Sequence, residues 1–360
     1  MKAAVCRGFN EPLEIEDVIV RAPGPGEISV TTKACAICHS DIHYAEGAWG
    51  GDLPAVYGHE AAGIVDAVGP GVRGFEVGDH VVVTLIRWCG SCHYCSRGKQ
   101  TVCETVFPLE ANSPLSNAAG ETLIHGLGTG AFAEKMLVEQ SQAVVIPDEI
   151  AFDVAALLAC GVITGFGAVT NTAAIEAGSN VVVIGTGGVG LNAVQGARHA
   201  GAGRIIAVDI SEEKLAAARA FGATDTVNAM ANDISKQVRA LTSGRKADYV
   251  FVTVGAPVAF EQAFRLLGRA GTVVLVGMTE LGVTAKYDPG TMAYIEQRII
   301  GSKMGSARIQ IDIPMLIDLY RQGRLKLDEL ITRRYPLEEI NAAIADVKAG
   351  NALRNVIMFD

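Results

Sequence analysis

Aromatic residues are scarce in this chain, and clusters of basic residues are absent. Only 6% of the 360 residues are aromatic and 19% are charged, whereas 41 are glycine. This balance fits a globular α/β protein with many tight turns. Because no run of Lys or Arg interrupts the net charge of −9, nucleic acid and anionic membrane surfaces are poor partners.

A long hydrophobic run is also missing. The longest covers residues 154–169 and carries three glycines and a threonine, which is too short for a bilayer span, so we expect a buried helix there. Residues 1–10 lack the apolar core of a signal peptide. We therefore expect a cytoplasmic protein, in which thiols stay reduced and eight cysteines suggest metal binding rather than disulfides.

Strand and turn patterns divide the chain into two kinds of region. Up to residue 146, short strand-like runs alternate with Gly and Pro turns, which predicts a mainly β, partly closed barrel, with a long loop at residues 110–130. From residue 180 to 276, strands rich in Val and Ile alternate with helices, which predicts a doubly wound parallel sheet. The predicted domains are residues 1–161 and 162–298, with residues 299–360 returning to the first.

Four cysteines lie within fifteen residues at the spacing C-x2-C-x2-C-x7-C: Cys89, Cys92, Cys95 and Cys103. Four thiolates can close a tetrahedron around zinc and leave no position for water, as in a structural site. Residues 89–103 are therefore predicted to form a zinc-bound lobe. An iron–sulfur cluster or disulfides would use the same residues.

A glycine-rich turn separates the predicted strand 180–184 from the predicted helix 188–200. It reads G-T-G-G-V-G, and its members are Gly185, Thr186, Gly187, Gly188, Val189 and Gly190. In this context the glycines allow a pyrophosphate to approach the backbone, and the helix N-terminus favours its charge. Asp209 ends the next predicted strand and would bind the ribose hydroxyls, which favours NAD over NADP. The alternative is a purely structural turn.

A possible catalytic metal site lies near the beginning of the chain. Cys38 and His59 are good zinc ligands, and Ser40, Asp41 and His43 lie between them. A catalytic zinc needs three protein ligands and one open position. Taken alone, the pair could equally be core residues that bind no metal.

Together these motifs resemble the zinc-dependent medium-chain alcohol dehydrogenases over essentially the whole chain. The matching stretches are C-H-S-D at residues 38–41, G-H-E at 58–60, the four-cysteine lobe, L-A-C-G at 158–161, the glycine turn and Asp209. The resemblance implies a Rossmann-type cofactor domain, a GroES-like catalytic domain, NAD and two Zn²⁺ per chain. It supplies Cys160 as the third ligand of the catalytic zinc, and it implies that Glu60 approaches the metal transiently.

The resemblance also implies roles in catalysis. Asp41 would accept the second N–H of His59. Zinc would acidify the alcohol, whose proton would leave through Ser40, the cofactor ribose and His43 while hydride passes to the nicotinamide. Contacts to the cofactor are implied for His39, Thr164, Val189, Lys214 and Arg354. Cys35 forms C-x-x-C with Cys38, as either a redox pair or a buried bystander.

Five positions match the family's substrate pocket: Trp49, Leu85, Gly126, Leu127 and Met278. Trp49 would narrow one wall and Gly126 would open another, which predicts an uncharged alkyl or aryl alcohol and its aldehyde or ketone. Residues 105–107 lack the arginine of the glutathione-dependent members. Cys160 stands where polyol dehydrogenases usually have glutamate. Both activities are therefore disfavoured.

Two other interpretations remain open from the sequence. One is an aldehyde reductase or a dismutase that retains its cofactor. The other is a non-catalytic zinc-ribbon interaction protein that binds NAD, although Cys38, His59 and Cys160 would have no use in it. The retained loop 110–130 resembles that of dimeric family members, which predicts a homodimer formed through residues 291–302.

Overall fold

A computed structural model describes all residues, 1–360, as two compact units. The first unit comprises Met1–Cys160 and Arg308–Asp360, and the second comprises Gly161–Ala307. The first boundary lies one residue from the predicted one. The return to the first unit comes nine residues later than predicted, because Arg298–Gly301 pairs with the sheet of the second unit.

The first unit is mainly β. In chain order its longer part contains β1 (Lys2–Cys6), β2 (Glu14–Val20), β3 (Glu27–Ala36), α1 (His39–Ala45), β4 (Ala55–Val56), β5 (Glu60–Val68), β6 (His80–Val83), α2 (Pro108–Ala111), β7 (Leu115–Asn117), β8 (Thr122–His125), β9 (Lys135–Glu139), β10 (Ala143–Val145) and α3 (Phe152–Leu157). Strands β1, β2, β7, β8 and β4 close a barrel. The predicted barrel-like domain is thus confirmed.

The prediction of a long loop at residues 110–130 was wrong. This stretch contains β7 and β8, which pair with each other and complete the barrel. Leu115 and Leu123 point into its core, while Thr122 and Ile124 are exposed. Three- and four-residue strands are too short to show a clear alternation of apolar and polar residues, which is why the pattern read as a loop.

The second unit is a doubly wound parallel sheet. It contains α4 (Ile163–Gly167), β11 (Asn180–Ile184), α5 (Gly188–His199), β12 (Arg204–Asp209), α6 (Glu212–Phe221), β13 (Asp225–Asn228), α7 (Ile234–Leu241), β14 (Ala247–Val252), α8 (Pro257–Leu266), β15 (Leu267–Leu275), α9 (Pro289–Tyr294) and β16 (Arg298–Gly301). The strand order is β13-β12-β11-β14-β15-β16, and every pair is parallel. The central strands are buried on both faces, as their Val and Ile runs predict.

The last 53 residues of the first unit, 308–360, complete its second sheet. They form α10 (Ile309–Arg321), β17 (Ile331–Pro336), α11 (Ile340–Lys348) and β18 (Arg354–Met358). Strand β18 pairs with β3, and β3 also pairs with β5 and β9. This sheet follows the order β10-β6-β5-β3-β18-β17, so β3 lies at its centre.

One helical segment, Phe152–Ala173, is long and apolar enough to cross a membrane by length and composition alone. Since 94% of its most apolar window is buried within the protein, it fits the buried helix that the sequence predicts. The segment is not a regular α-helix, because Leu158–Val162 and Ala168–Ala173 are π-helical. Single π turns inside helices are frequent at functional sites.

Candidate active site

Four buried side chains converge in the first unit. The donor atoms of Cys38, His59, Glu60 and Cys160 all lie within 4.8 Å of one another. The set brings together the three ligands that the resemblance implies and the adjacent carboxylate. Two sulfurs and one imidazole nitrogen are donors that Zn²⁺ prefers.

The register of the central sheet brings Cys38 close to His59. Strands β3 and β5 are antiparallel, and Ala36 lies opposite Glu60. Extending this register by two residues places Cys38 beside the peptide that precedes His59. Cys160 arrives separately, in the π-helical turn Leu158–Val162. Sequence spacing cannot reveal Cys160 as the third ligand, because the position of its side chain depends on the π-helical turn Leu158–Val162.

Asp41 holds the metal-facing groups in place. Its Oδ1 accepts hydrogen bonds from His59 Nδ1 and from the Gly58 N–H, both at 2.9 Å, and its Oδ2 accepts one from the Cys38 N–H at 3.2 Å. With Nδ1 as the donor, His59 Nε2 carries the lone pair. That nitrogen is buried and has no hydrogen-bond partner, as expected of a nitrogen that ligates a metal.

The pKa values of the buried thiols of Cys38 and Cys160 are shifted in opposite directions. A hydrogen bond from Cys160 holds the pKa of Cys38 well below its ordinary value, and His59 adds to this effect. The same hydrogen bond raises the pKa of Cys160 well above its ordinary value. One thiolate and one thiol are the state expected of such a pair without a dication, since metal binding displaces the remaining proton.

Glu60 has a partner of opposite charge. Its Oε2 accepts a hydrogen bond from Arg354, and both side chains are buried. Burial raises the pKa of Glu60 to about 7, although the attraction of Arg354 opposes this rise. The family resemblance implies that Arg354 contacts a cofactor phosphate, and it gives no indication of this ion pair with Glu60. The phosphate contact stays a prediction.

Two candidate relay residues lie on one face of α1. Ser40 is half-buried, with its Oγ 3.7 Å from the Cys38 sulfur. His43 follows three residues later, so the two share a helix face. Its ring lies 5.0 Å from that of Trp49. His39, the predicted phosphate contact, is exposed, and its ring centroid is 6.4 Å from that of His43.

The second cysteine group also converges. The sulfurs of Cys89, Cys92, Cys95 and Cys103 lie within 4.8 Å of one another, and none forms a disulfide. The N–H groups of Ser91 and Cys92 point at the Cys89 sulfur at 3.4 and 3.3 Å. A hydrogen bond from Thr105 and these backbone groups lower the pKa of Cys89 to about 5. The group fits a closed zinc site made of four sulfurs. His93 is not part of the group and contacts Arg97 instead.

Cys35 belongs to neither group. It lies on β3, is fully buried, and is part of the apolar core. Burial raises the pKa of its thiol well above the ordinary value. This environment supports the bystander interpretation over the redox pair.

The glycine turn in the second unit has room for a phosphate. A Cβ built on Gly187 would meet nothing within 4 Å, whereas one on Gly190 would lie 1.8 Å from the Gly185 carbonyl oxygen. Gly190 is thus required for the close packing of turn and helix, and Gly187 leaves open space at the N-terminus of α5. These two roles are the ones a dinucleotide-binding turn needs.

Asp209 lies at the end of β12, as predicted. Its Oδ2 accepts hydrogen bonds from the N–H and hydroxyl of Thr186, and its Oδ1 accepts one from the Ser211 N–H. The carboxylate is therefore fixed next to the glycine turn. Among the other predicted cofactor contacts, Thr164 is buried with its hydroxyl 3.6 Å from the Met304 sulfur, and Lys214 is half-buried in α6.

The expectation that Gly126 opens a pocket wall was wrong. A Cβ on Gly126 would lie 2.5 Å from the Val56 carbonyl oxygen and 2.5 Å from the Tyr57 ring. Glycine is present because the backbone packs tightly there, and its replacement would not fill an open space. Leu85 and Leu127 are half-buried, and Met278 is 62% exposed.

Two protein-family models match this chain. Residues 24–148 match the alcohol dehydrogenase GroES-like domain, and residues 188–322 match the zinc-binding dehydrogenase domain. An NDMA-dependent alcohol dehydrogenase of Amycolatopsis methanolica is 38% identical, covering 99% of this chain and 98% of the relative.

Solved structures are similar over the whole chain. An alcohol dehydrogenase zinc-binding domain protein from Burkholderia ambifaria superposes with a TM-score of 0.95 at 38% identity, covering 100% of this chain and 98% of the other. Benzyl alcohol dehydrogenase from Acinetobacter calcoaceticus has a TM-score of 0.93 at 31% identity, covering 100% and 99%.

Proposed function

This chain belongs to the zinc-dependent medium-chain alcohol dehydrogenase family, and on that premise we propose that it oxidises uncharged alkyl or aryl alcohols with NAD. As a member of the family it is a zinc-containing oxidoreductase that interconverts alcohols and aldehydes. The observation that carries the proposal is the convergence of Cys38, His59 and Cys160 beside Glu60.

The donor sets support two zinc ions per chain. Cys38, His59 and Cys160 would hold the catalytic ion, and the four-cysteine lobe would hold the structural one. When bound, the catalytic zinc would supply a Lewis acid that acidifies the alcohol, and NAD would supply the hydride acceptor. The open space at Gly187 and the fixed carboxylate of Asp209 support binding of NAD rather than NADP.

The protein side chains would orient the substrate and move its proton. Asp41 would keep the His59 ring in the tautomer that ligates through Nε2. Ser40 Oγ would accept the proton of the alcohol, and His43, three residues along the same face of α1, would release it to solvent. Leu85, Leu127 and Trp49 would form an apolar substrate wall in the first unit.

We also propose a cytoplasmic homodimer. Eight free cysteines, six of which must be reduced to serve in the two metal groups, fit a reducing compartment. Strand β16 forms one edge of the six-stranded sheet, and an edge strand can pair with a second copy. Tyr294, just before it, is 82% exposed. Sedimentation analysis distinguishes a dimer from a monomer or tetramer.

The proposal is tested by metal analysis and turnover on one preparation. We expect two zincs per chain and reduction of added NAD by benzyl alcohol, with NADP as the weaker cofactor. Because a relative is described as NDMA-dependent, NDMA is included as an alternative acceptor. Turnover with NDMA but not with added NAD would indicate a retained cofactor. Full zinc loading without turnover in either assay would contradict the proposal.

A matched pair of variants locates the chemistry. Cys160→Ala removes a ligand of the proposed catalytic zinc, so we expect one zinc per chain and no turnover. Cys6→Ala removes a buried thiol that belongs to the apolar core and to neither metal group. It should keep both zincs and most of the activity. Equal zinc contents in the two variants would place the catalytic metal elsewhere.

A further inference from the structure

Gln142 is a fully buried amide whose hydrogen-bonding groups are all used. It lies in the 3-10 turn Gln140–Gln142 and has no exposed surface. Its Nε2 donates to the carbonyl oxygens of Thr84 and Gly128, at 2.9 and 3.0 Å. Its Oε1 accepts from the Glu139 N–H at 3.2 Å. One side chain therefore connects two segments that are far apart in the sequence.

Both bridged carbonyls lie next to leucines that were assigned to the substrate wall. Thr84 precedes Leu85, and Gly128 follows Leu127. Strand β6 pairs with β5 so that Val83 lies opposite Ala61. Leu85 follows the end of β6, and His59 directly precedes the start of β5. Gln142 thus holds the backbone that leads from β6 to Leu85.

The Leu127 segment also runs alongside His59. His125 pairs with Val56. The Thr129 hydroxyl then donates to the Gly58 carbonyl oxygen at 2.7 Å, directly before His59. The two leucines therefore lie in segments that follow different strands, β6 and β8, and the Gln142 amide is hydrogen-bonded to the backbone of both segments.

Leu127 is strained. Its backbone has φ 54° and ψ 18°, in the left-handed region, which is unfavourable for a residue with a Cβ. Such a conformation persists only where the surroundings hold it. The hydrogen bonds to the Gly128 carbonyl and from the Thr129 hydroxyl fix the two residues that follow Leu127. Releasing either bond would allow the backbone of Leu127 to relax.

We propose that Gln142 is a specificity-determining positioning residue, which sets the separation of the substrate walls carried by Leu85 and Leu127. This inference rests on the proposed alcohol dehydrogenase function. Gln142 touches neither the substrate nor the metal group and acts through the two leucines. Loss of its two hydrogen bonds to Thr84 and Gly128 would let the walls move apart, so that an alcohol with two fused rings would be accepted more readily relative to benzyl alcohol.

The test is the ratio of kcat/KM for benzyl alcohol to kcat/KM for 2-naphthylmethanol. Both are measured on the same preparation, so the ratio does not depend on the fraction of active protein. Gln142→Met keeps the side-chain volume and removes both donors. We expect the ratio to fall by about tenfold, the scale of discrimination by one pocket contact, with two zincs retained.

Gln140→Met is the matched control. Gln140 lies in the same turn, but its side-chain oxygen accepts from the Arg73 N–H and does not reach the bridged carbonyls. Its ratio should equal that of the wild type. A merely structural role for Gln142 would lower the thermal stability without changing the ratio, because folded molecules would keep the same walls.

Gln142→Asn is a second test, because the shorter amide cannot reach the carbonyl oxygens of both Thr84 and Gly128. The same fall in the ratio supports the proposal. A ratio within about twofold of the wild-type value in a folded variant overturns it, and so does failure of both variants to fold, which would assign Gln142 to domain stability. A wild-type protein that oxidises no alcohol with NAD or NDMA overturns the proposed function itself, and this inference with it.

Discussion

The carboxylate of Asp41 lies 2.9 Å from Nδ1 of His59, and both side chains are buried. Although burial alone would lower the pKa of His59, the nearby charge of Asp41 raises it above its ordinary value. The pair is thus a strong hydrogen bond in a site that excludes water. It fixes which ring nitrogen faces the two cysteine sulfurs.

Asp41→Asn should weaken binding of the catalytic zinc. The neutral amide cannot accept from three donors as the carboxylate does, and loss of such a partner typically costs about 10- to 100-fold in metal affinity. Competition with a chromophoric chelator measures the change. Asp17→Asn is the control, because the Asp17 side chain is 76% exposed. An unchanged affinity would limit the role of Asp41 to its hydrogen bond with the Cys38 N–H at the start of α1.

Ser40→Ala should lower alcohol oxidation without removing zinc. The hydroxyl is the group proposed to accept the alcohol proton, and positioned proton acceptors contribute about 100-fold or more. Ser40→Thr keeps a hydroxyl and should retain most of kcat. Steady-state rates and metal content are measured together on all three proteins. Turnover of Ser40→Ala at the wild-type rate would remove Ser40 from the relay.

Local spacing made some of the site predictable from sequence. Cys89, Cys92, Cys95 and Cys103 lie close in the chain, so their spacing alone predicts convergence. The glycine turn is likewise local, and Asp209 follows one strand later. In such cases the ligands and the structure that positions them share one short segment.

Other contacts could not be read from spacing. Cys160 lies about one hundred residues after His59 and depends on a π turn, so only the family resemblance supplied it. The Glu60–Arg354 pair joins strands from opposite ends of the chain, both of which pair with β3. Gln142 acts on backbone carbonyls, which every residue has, and therefore leaves no signature in the sequence.

Cys103→Ala should remove the structural zinc. Three sulfurs would remain, and the lobe would lose the closed tetrahedron that replaces an apolar core there. We expect zinc to fall from two to one per chain and Tm to fall by roughly 5 °C or more. Cys35→Ala, in the buried core, should retain two zincs. Two zincs in Cys103→Ala would contradict the assignment of this site.

Glu139 predicts a pH dependence of stability in the first unit. The side chain is 7% exposed and lies opposite Glu27, which pairs with Arg21. Burial raises the pKa of Glu139 to about 7, and the charge of Glu27 adds to the rise, while Arg87 and Arg21 oppose it. The folded state therefore binds more protons than the unfolded chain between pH of about 4.5 and 7.

Stability should thus fall as the pH rises through that interval, because the folded protein must ionise a buried carboxyl. Glu139→Gln removes the cost. At pH 8 we expect it to be more stable than the wild type by about 1 to 3 kcal/mol, and near pH 4 the difference should disappear. Urea unfolding at both pH values measures it, with the exposed Glu338→Gln as the control. A difference that is the same at both pH values would show that Glu139 ionises normally in the folded protein.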